Sequence, residues 1–143
     1  MPDYRFRLDF AVRDYECDLA GMVNNAVYLH YLEHARHELL RAGGIDFAGW
    51  AARGIYLVVV RIEVDYLLPL RSGDQFWLGV NPLRVSPLRF AFHQDIYRRP
   101  DDRPVLRAKV IGTAINDKGR PRLPAELEQL FPAGQPETSK GAS

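Results

Sequence analysis

Asp18 is the side chain of this sequence best placed to carry out chemistry. It stands in a short polar turn after Cys17, a few residues before a long segment of helical periodicity that begins near Asn24. The first N–H groups of a helix lack partners within the helix and carry partial positive charge. A carboxylate beside such a helix end can promote attack on a carbonyl or thioester, while an N–H group stabilises the oxyanion that forms.

The start of this helix supplies the group that would stabilise an oxyanion. If the Asn24 side chain caps the helix, its oxygen accepts a hydrogen bond from the N–H of Ala26 or Val27. The N–H of Asn25 is then available for a substrate oxygen. A plainer interpretation is also open at this point, because Asp18 alone could order a turn and Asn24 alone could cap a helix.

Hydrophobic periodicity predicts the elements that must position these residues. Apolar and charged residues alternate over 4–12, which predicts a half-buried strand. From Asn24 to Gly43-Gly44 the apolar spacing is three and four, which predicts one long helix with a buried stripe of Tyr28, Tyr31, Leu32, Ala35 and Leu39. Strands are predicted over 55–68, 75–84, 88–97 and 105–116, and a short helix over 124–131.

One strand, a long helix and four strands joined by short turns define an α+β domain, with the helix on one face of an antiparallel sheet. Residues 1–132 are predicted to form this single domain, and residues 133–143 a disordered tail. The single cysteine, Cys17, cannot form an internal disulfide. No signal peptide follows Met1, and no apolar run reaches the roughly 18 residues of a membrane span. A cytoplasmic location is therefore predicted, with no membrane association.

The charge of the chain is unevenly distributed. The net charge of +1 gives no overall field that favours nucleic acid. Residues 84–122, however, carry 10 basic and 4 acidic side chains, whereas residues 1–83 carry 8 basic and 11 acidic ones. The basic segment could bind a phosphate-rich ligand or an acidic partner, or it could be the solvated outer face of a sheet.

Two motifs give the sequence a family resemblance. The first is Val12-Arg13-Asp14-Tyr15-Glu16-Cys17-Asp18-x-x-Gly21-x-Val23-Asn24-Asn25-Ala26-x-Tyr28, and the second is Val64-x-Tyr66-x-x-Pro69-Leu70-x-x-Gly73-Asp74. Over residues 4–120 the chain resembles hotdog-fold thioesterases of the 4-hydroxybenzoyl-CoA thioesterase class, especially the plant and cyanobacterial acyl-ACP and 1,4-dihydroxy-2-naphthoyl-CoA thioesterases. The resemblance implies a five-stranded antiparallel sheet wrapped around one long helix.

The resemblance also implies an activity and a set of site residues. The activity is hydrolysis of an acyl-CoA or acyl-ACP thioester to a carboxylic acid and a thiol, without a metal or other cofactor. Asp18 would be the nucleophile or the general base, and the Asn25 backbone N–H would polarise the carbonyl. Gly21, Met22, Asn24 and Tyr28 would contact the substrate. Many relatives carry a histidine where this chain has Met22, so no catalytic histidine is assigned, and the thioether is suited to lining an acyl or aromatic pocket.

Partners follow from the same resemblance. Arg84, Arg89, Arg98 and Arg99 are the candidates for binding the CoA nucleotide or an acidic acyl carrier protein. A homodimer with its sheets joined edge to edge, or a homotetramer built from two such dimers, is implied, with active sites at the dimer interface. Two alternatives stay open: a hotdog dehydratase acting on hydroxyacyl thioesters, and a non-catalytic acyl-thioester binding protein. The sequence does not specify the acyl group, the choice between CoA and carrier protein, or the exact role of Asp18.

Other reactive side chains have simpler explanations. Cys17 as a nucleophile lacks a base at a defined spacing, and the adjacent Asp18 disfavours its thiolate. Glu63 is either a surface residue or a second acid that approaches the site from a partner subunit. Glu33 and Arg36, three residues apart on the helix, are predicted to form an exposed ion pair that contributes little. No spacing of Cys and His indicates a metal site.

Overall fold

A computed structural model describes residues 3–132, so the tail predicted over 133–143 lies outside the described residues. The strands are β1 (Phe6–Ala11), β2 (Tyr56–Tyr66), β3 (Gln75–Ser86), β4 (Arg89–Arg98) and β5 (Arg103–Ile115), and the α-helices are α1 (Asn25–Ala42) and α2 (Phe47–Ala52). Short 3₁₀ turns cover Asp14–Glu16 and Ala125–Leu130. The five strands and the 18-residue helix α1 confirm the predicted α+β architecture.

The five strands form one antiparallel sheet in the order β1-β3-β4-β5-β2. The chain leaves β1 at one edge of the sheet, passes through α1 and α2, and returns as β2 at the opposite edge. The long pairing of β2 with β5 is shifted by a β-bulge between Val59 and Arg61. The fold therefore leaves β2 as an edge strand with one side unpaired within the described chain.

The core lies between α1 and the inner face of the sheet. All five apolar residues of the predicted helix stripe are buried, which confirms that stripe. They share one cluster with buried side chains of the central strands, including Phe76, Leu78, Val80, Phe92 and Ile96. Burial of each large apolar side chain contributes roughly 1.5–3 kcal/mol to folding. This packing fixes the height and the direction of α1 over the sheet.

The prediction of an exposed Glu33–Arg36 pair is wrong. Glu33 is exposed, but Arg36 is buried, and no ion pair joins the two in the described part of the chain. Instead, Arg36 Nη1 donates a hydrogen bond to Gln94 Oε1 at 3.0 Å, and Gln94 Nε2 donates to the Leu32 carbonyl at 2.9 Å. Arg36 is buried because it lies one turn after Leu32 on the helix face that packs against the sheet, where β4 supplies a polar partner.

Helix α2 was not predicted from the sequence. It begins after Asp46, whose side chain accepts a hydrogen bond from the Gly49 N–H, and it ends before Arg53. Trp50 is the buried residue of this helix. In the described part of the chain, the structure has no helix that is long and apolar enough to cross a membrane.

Candidate active site

Asp18 opens a tight turn that closes on Met22. The Asp18 N–H donates to the Met22 carbonyl at 2.8 Å, and the Gly21 N–H donates to the Asp18 carbonyl at 3.0 Å. Gly21 has a φ of +79°, in the left-handed region that glycine adopts without strain. A side chain at this position would strain the turn, so Gly21 shapes the loop through its backbone.

The Asp18 carboxylate is anchored through one of its two oxygens. Oδ1 accepts hydrogen bonds from the Ala20 N–H at 2.9 Å and from the Met22 N–H at 3.3 Å. No donor among residues 3–132 contacts Oδ2, and the residue is exposed. One oxygen therefore orients the side chain, and the other is available for substrate or water.

The start of α1 has the hydrogen-bonding pattern predicted from the sequence. Asn24 is the N-cap, and its side-chain oxygen accepts the Ala26 N–H at 2.9 Å. The Asn24 carbonyl accepts the Val27 N–H at 2.9 Å. The Asn25 N–H donates to no group in the described residues, as expected for the first residue of a helix. It is the exposed donor nearest to the positive end of the helix dipole.

A cavity of about 370 Å³ brings these groups together. Asp18, Met22, Asn25 and Tyr28 line it from the loop and the helix, and residues 66–69 line it from the end of β2 and the segment that follows. Of the other predicted substrate contacts, Gly21 and Asn24 lie in the adjoining loop and cap. The arrangement places a carboxylate, an unpaired N–H group and an apolar wall around one space.

Two tyrosines hold the walls of this cavity in place. Tyr28 is buried, and its hydroxyl accepts the Leu70 N–H at 2.9 Å, which ties α1 to the segment after β2. Burial raises the pKa of the Tyr28 hydroxyl above its ordinary value of 10.0. The Tyr66 ring meets the Tyr28 ring edge to face at 5.6 Å, and its hydroxyl donates to the Asn25 carbonyl at 3.2 Å. Tyr66 belongs to the second motif, but its contact with the helix start was not predicted.

A buried carboxylate supports the loop from beneath. Glu16 Oε1 accepts the Tyr31 hydroxyl at 2.8 Å and the Arg13 N–H at 2.8 Å. The Glu16 carbonyl accepts the Asn24 N–H at 3.0 Å. Burial, followed by the bond to Glu16, raises the pKa of Tyr31 well above its usual range. Sequence reasoning missed this role, because nothing in the local pattern shows that Tyr31 reaches back to Glu16.

The four predicted arginines lie at two ends of the sheet rather than in one patch. Arg89 and Arg98 begin and end β4, which spans about 30 Å. Arg84 is near Arg89, and its guanidinium forms an ion pair with Glu128. At the other end, Arg98 Nη2 pairs with Asp101 at 2.6 Å, and Arg99 Nη2 pairs with an oxygen of Asp9 at 3.1 Å on β1.

Of the four predicted arginines, Arg98 and Arg99 lie at the end of the sheet that carries the Asp18 loop, whereas the other two lie at the opposite end. The Arg99 N–H donates to the Gln75 carbonyl at the start of β3, directly after the segment that contacts the loop. In that segment, Arg71 forms a β-bridge with Met22, and its side chain is exposed. Arg71 is thus a basic residue beside the site that the charge pattern of the sequence did not single out.

Two other candidate groups, Glu63 and Cys17, do not line this cavity. Glu63 is exposed and pairs with Arg61 at 3.4 Å on β2. Cys17 is half-buried in the strand-like segment before Asp18. Within residues 3–132, the structure shows no group of three or more His, Cys, Asp or Glu side chains that could hold a metal ion.

A carboxylate opposite an unpaired helix N–H group, on a five-stranded sheet packed against one long helix, is the arrangement expected of a hotdog thioesterase. Residues 12–131 match the thioesterase-like superfamily. The chain therefore belongs to this superfamily, and the family resemblance predicted from its two motifs is confirmed.

Individual proteins agree with the assignment. The chain is 38% identical over 125 residues to a chloroplastic acyl-acyl carrier protein thioesterase of Arabidopsis thaliana, covering 87% of this chain and 66% of that protein. It thus spans slightly less than two thirds of the length of this relative. A probable thioesterase of Escherichia coli, YbaW, superposes with a TM-score of 0.76 at 27% identity, covering 88% of this chain and 98% of that one. A 1,4-dihydroxy-2-naphthoyl-CoA thioesterase of Synechocystis superposes with a TM-score of 0.85 at 19% identity, covering 92% of this chain and 98% of that one, and supports the fold alone.

Proposed function

We propose that this protein hydrolyses acyl thioesters to a carboxylic acid and a thiol, with Asp18 and the Asn25 N–H as its catalytic groups. One observation carries the proposal: a carboxylate oxygen without a protein partner and an N–H group without an acceptor border the same cavity. Membership of the thioesterase-like superfamily supports the same reaction.

The Asn25 N–H stabilises the charge that develops on the thioester oxygen. This N–H group lies at the positive end of α1. The neighbouring Ala26 N–H already donates to the Asn24 side chain, so the substrate oxygen would accept a hydrogen bond from the Asn25 N–H alone. In other enzymes the loss of one such donor lowers the rate by about 10²–10³. Met22 and residues 67–69 supply an apolar wall beside this donor, which strengthens its electrostatic effect.

Asp18 acts by one of two routes that share these groups. As a nucleophile, Asp18 attacks the carbonyl carbon, the C–S bond breaks to release the thiolate, and water hydrolyses the resulting anhydride to restore the carboxylate. As a general base, Asp18 removes a proton from the water that attacks the carbonyl carbon, and the departing thiolate receives that proton. Both routes consume one water and yield one carboxylic acid and one thiol.

The substrate class is an acyl-CoA or an acyl carrier protein thioester. Relatives named for each kind of substrate align with this chain. Arg71, Arg98 and Arg99 lie at the loop end of the sheet and are our candidates among the basic residues there for binding CoA phosphates or an acidic carrier protein. Arg84 and Arg89 lie at the far end and would serve such a ligand only through another subunit. The acyl group is a medium to long, β-keto or aromatic one.

A second copy of the chain is proposed to pair with β2. This edge strand exposes five large apolar side chains, with fractional exposures of 39–50%, at Tyr56, Val59, Val60, Ile62 and Tyr66. Unpaired strand edges with apolar side chains are sites of strand pairing. Antiparallel pairing of two β2 strands about a two-fold axis would join the two sheets and cover the cavity at Asp18 in each chain. A tetramer would be two such dimers.

The reaction is tested by product analysis across a substrate panel. Acyl-CoA and acyl carrier protein thioesters of increasing chain length, with β-keto and aromatic members, are incubated with the protein. Free thiol is followed with a chromogenic disulfide reagent, and products are identified by mass. Hydrolysis gives equal amounts of thiol and carboxylic acid. A hydroxyacyl thioester that loses water while keeping its thioester would identify a dehydratase, and binding without any product would identify a binding protein.

A further inference from the structure

A second cavity lies along the same helix, at the end opposite to Asp18. Its volume is about 260 Å³, and it is bordered by α1, α2, β2, β4 and β5. Most of its wall is apolar, with Phe47, Leu57, Phe90, Phe92 and Val110 among the lining residues. An apolar cavity of about 150 Å³ is enough to hold a benzene ring. The second cavity is therefore large enough for part of an organic ligand.

This apolar cavity contains a buried guanidinium group. Arg36 lines it with only 8% of the residue exposed. An arginine side chain has five N–H donors. In the part of the chain that the structure describes, one of those of Arg36 donates a hydrogen bond to Gln94 Oε1. Every fully buried side-chain nitrogen or oxygen in residues 3–132 has a hydrogen-bond partner. Any Arg36 nitrogen without a partner among these residues therefore keeps some accessible surface, and the Arg36 side chain lines this cavity.

Leaving donors of a buried arginine unpaired is costly unless a ligand or water satisfies them. Glu33 also borders the cavity but forms no ion pair with Arg36 in the described chain, and its side chain is exposed. His37 and Tyr56 are the other polar side chains in the wall. An oxygen acceptor on a mostly apolar ligand would match this combination of one guanidinium and an apolar wall.

Both cavities border the same gap between α1 and β2. The cavity at Asp18 is lined by Tyr66 at the end of β2, and the second is lined by Tyr56–Val59 at its start. Between the two cavities, Ile62 and Val64 precede Tyr66 at intervals of two residues, so their side chains lie on the same face of β2 as Tyr66. The Tyr66 ring contacts Tyr28 of α1, so this face is turned toward the helix. From Asn25 to Arg36 the helix rises about 16 Å. An acyl chain bound at the Asn25 N–H would have to lie along this apolar strip to reach as far as Arg36.

We propose that the cavity at Arg36 receives the far end of the acyl group, and that the Arg36 guanidinium selects acyl chains with an oxygen acceptor at that end. This inference deepens the proposed thioester hydrolysis and rests on it for the position of the carbonyl group. Arg36 acts here as a specificity-determining residue on the same helix, about 16 Å farther along its axis than Asn25. The ligand class is a long-chain acyl thioester with a terminal hydroxyl or carboxylate group.

The test compares three thioesters of equal chain length: dodecanoyl-CoA, its ω-hydroxy derivative and its ω-carboxy derivative. Replacement of Arg36 by Met is expected to lower kcat/KM for the oxygenated substrates by about 10- to 100-fold relative to dodecanoyl-CoA, the range for hydrogen bonds to a charged group. If only the ω-carboxy substrate is affected, the site selects an anion; if both are, it selects any oxygen acceptor. An equal change for all three substrates would overturn the proposal.

Two further variants separate selection from folding. Arg41→Met removes an exposed arginine of the same helix, paired with Glu38 at 3.0 Å, and is expected to leave the substrate ratios unchanged. Ala51→Leu fills part of the cavity from an exposed position on α2 and is expected to reduce turnover of all three long substrates while sparing hexanoyl-CoA. If Ala51→Leu affects the short and long substrates equally, the acyl chain does not reach this cavity.

Calorimetry with thioether analogues of the same three ligands keeps this inference separate from the proposed reaction. Tighter binding of the oxygenated analogues that is lost in Arg36→Met would support the cavity assignment even if the wild-type protein released no thiol. Equal affinities for all three analogues in wild type and variant would refute it, even if thiol release were rapid.

Discussion

Tyr31 donates its hydroxyl hydrogen bond to Glu16 at 2.8 Å, which connects the buried face of α1 to the loop that carries Asp18. The same Glu16 oxygen accepts the Arg13 N–H, and the Glu16 backbone carbonyl accepts the N–H of the helix cap Asn24. One buried acid thus sets the position of the loop relative to the helix start. We expect the separation between the Asp18 carboxylate and the Asn25 N–H, the proposed oxyanion donor, to depend on this contact.

Removal of the Glu16 carboxylate is expected to loosen the site as well as the fold. Glu16→Ala leaves the Tyr31 hydroxyl and the Arg13 N–H without this partner, which should cost about 1–3 kcal/mol of unfolding free energy. Denaturant unfolding measures this loss. Tyr31→Phe removes one partner of the same bond, so a double-mutant cycle should show coupling between the two sites. Fully additive effects would mean that the bond does not hold the loop.

The proposed oxyanion donor can be removed without removing the helix. Asn25→Pro deletes the backbone N–H, and proline is favoured at the first position of a helix. The preceding Asn24 has φ −63° and ψ 137°, a conformation that proline tolerates in its neighbour. We expect kcat to fall by about 10²–10³ with little change in thermal stability. Asn25→Ala, which keeps the N–H, is the matched control and should retain most activity; equal activity of the two variants would exclude this donor.

The sequence predicts the helix and the cap of this site well, since both depend on local spacing. The stripe from Tyr28 to Leu39 is long and regular, and the capping residue Asn24 directly precedes the first residue of the helix. Helix α2 was missed because Phe47–Ala52 is only six residues long, includes a glycine and follows Gly43-Gly44. So short a segment carries little periodic signal.

Contacts between distant parts of the chain were harder to foresee. Arg71 meets the Asp18 loop through an isolated bridge to Met22, across nearly fifty residues of sequence. The basic segment 84–122 appears as one cluster in the sequence, but the antiparallel course of β4 carries Arg89 and Arg98 to opposite ends of the sheet. Arg36 looked like a surface residue because the buried partner, Gln94, belongs to another element.

The assembly proposal predicts that the exposed edge of β2 holds two chains together. Val60→Asp places a charge at the bulge of this edge, where the side chain is 45% exposed. Analytical ultracentrifugation should show a dimer or a tetramer for the wild type and a shift toward monomer for the variant, with a loss of thiol release. Leu88→Asp, at a 48% exposed position in the turn between β3 and β4, is the matched control and should leave the assembly unchanged. A wild-type monomer at working concentrations would contradict the proposal.

Stability is expected to fall in mildly acidic solution because of His37. Burial, aided by Arg36, lowers the pKa of His37 below its ordinary value of 6.5, against an opposing effect of Glu33. The unfolded chain therefore binds a proton more readily at this site than the folded chain does. The stability contributed by neutral His37 is complete above pH 6.5 and is lost as the pH falls through the lower, folded-state pKa.

Denaturant unfolding between pH 5 and 8, the interval in which histidines titrate, checks this effect. His37→Gln should reduce the loss of unfolding free energy on acidification, while His30→Gln, at an exposed position on the same helix, serves as the control. If the wild type and His37→Gln lose stability in parallel over this interval, the buried imidazole is not the source of the pH dependence.

The most direct test of the account is thiol release by the wild type and by Asp18→Asn. Asparagine keeps an oxygen that can accept the Ala20 and Met22 N–H groups, so the turn is preserved while the charge is removed. We predict that the wild type turns over acyl thioesters and that the variant, equally folded by circular dichroism, loses about 10²-fold or more in kcat/KM. Undiminished thiol release by Asp18→Asn would contradict the central role of this carboxylate and would direct attention to Glu63 and Cys17.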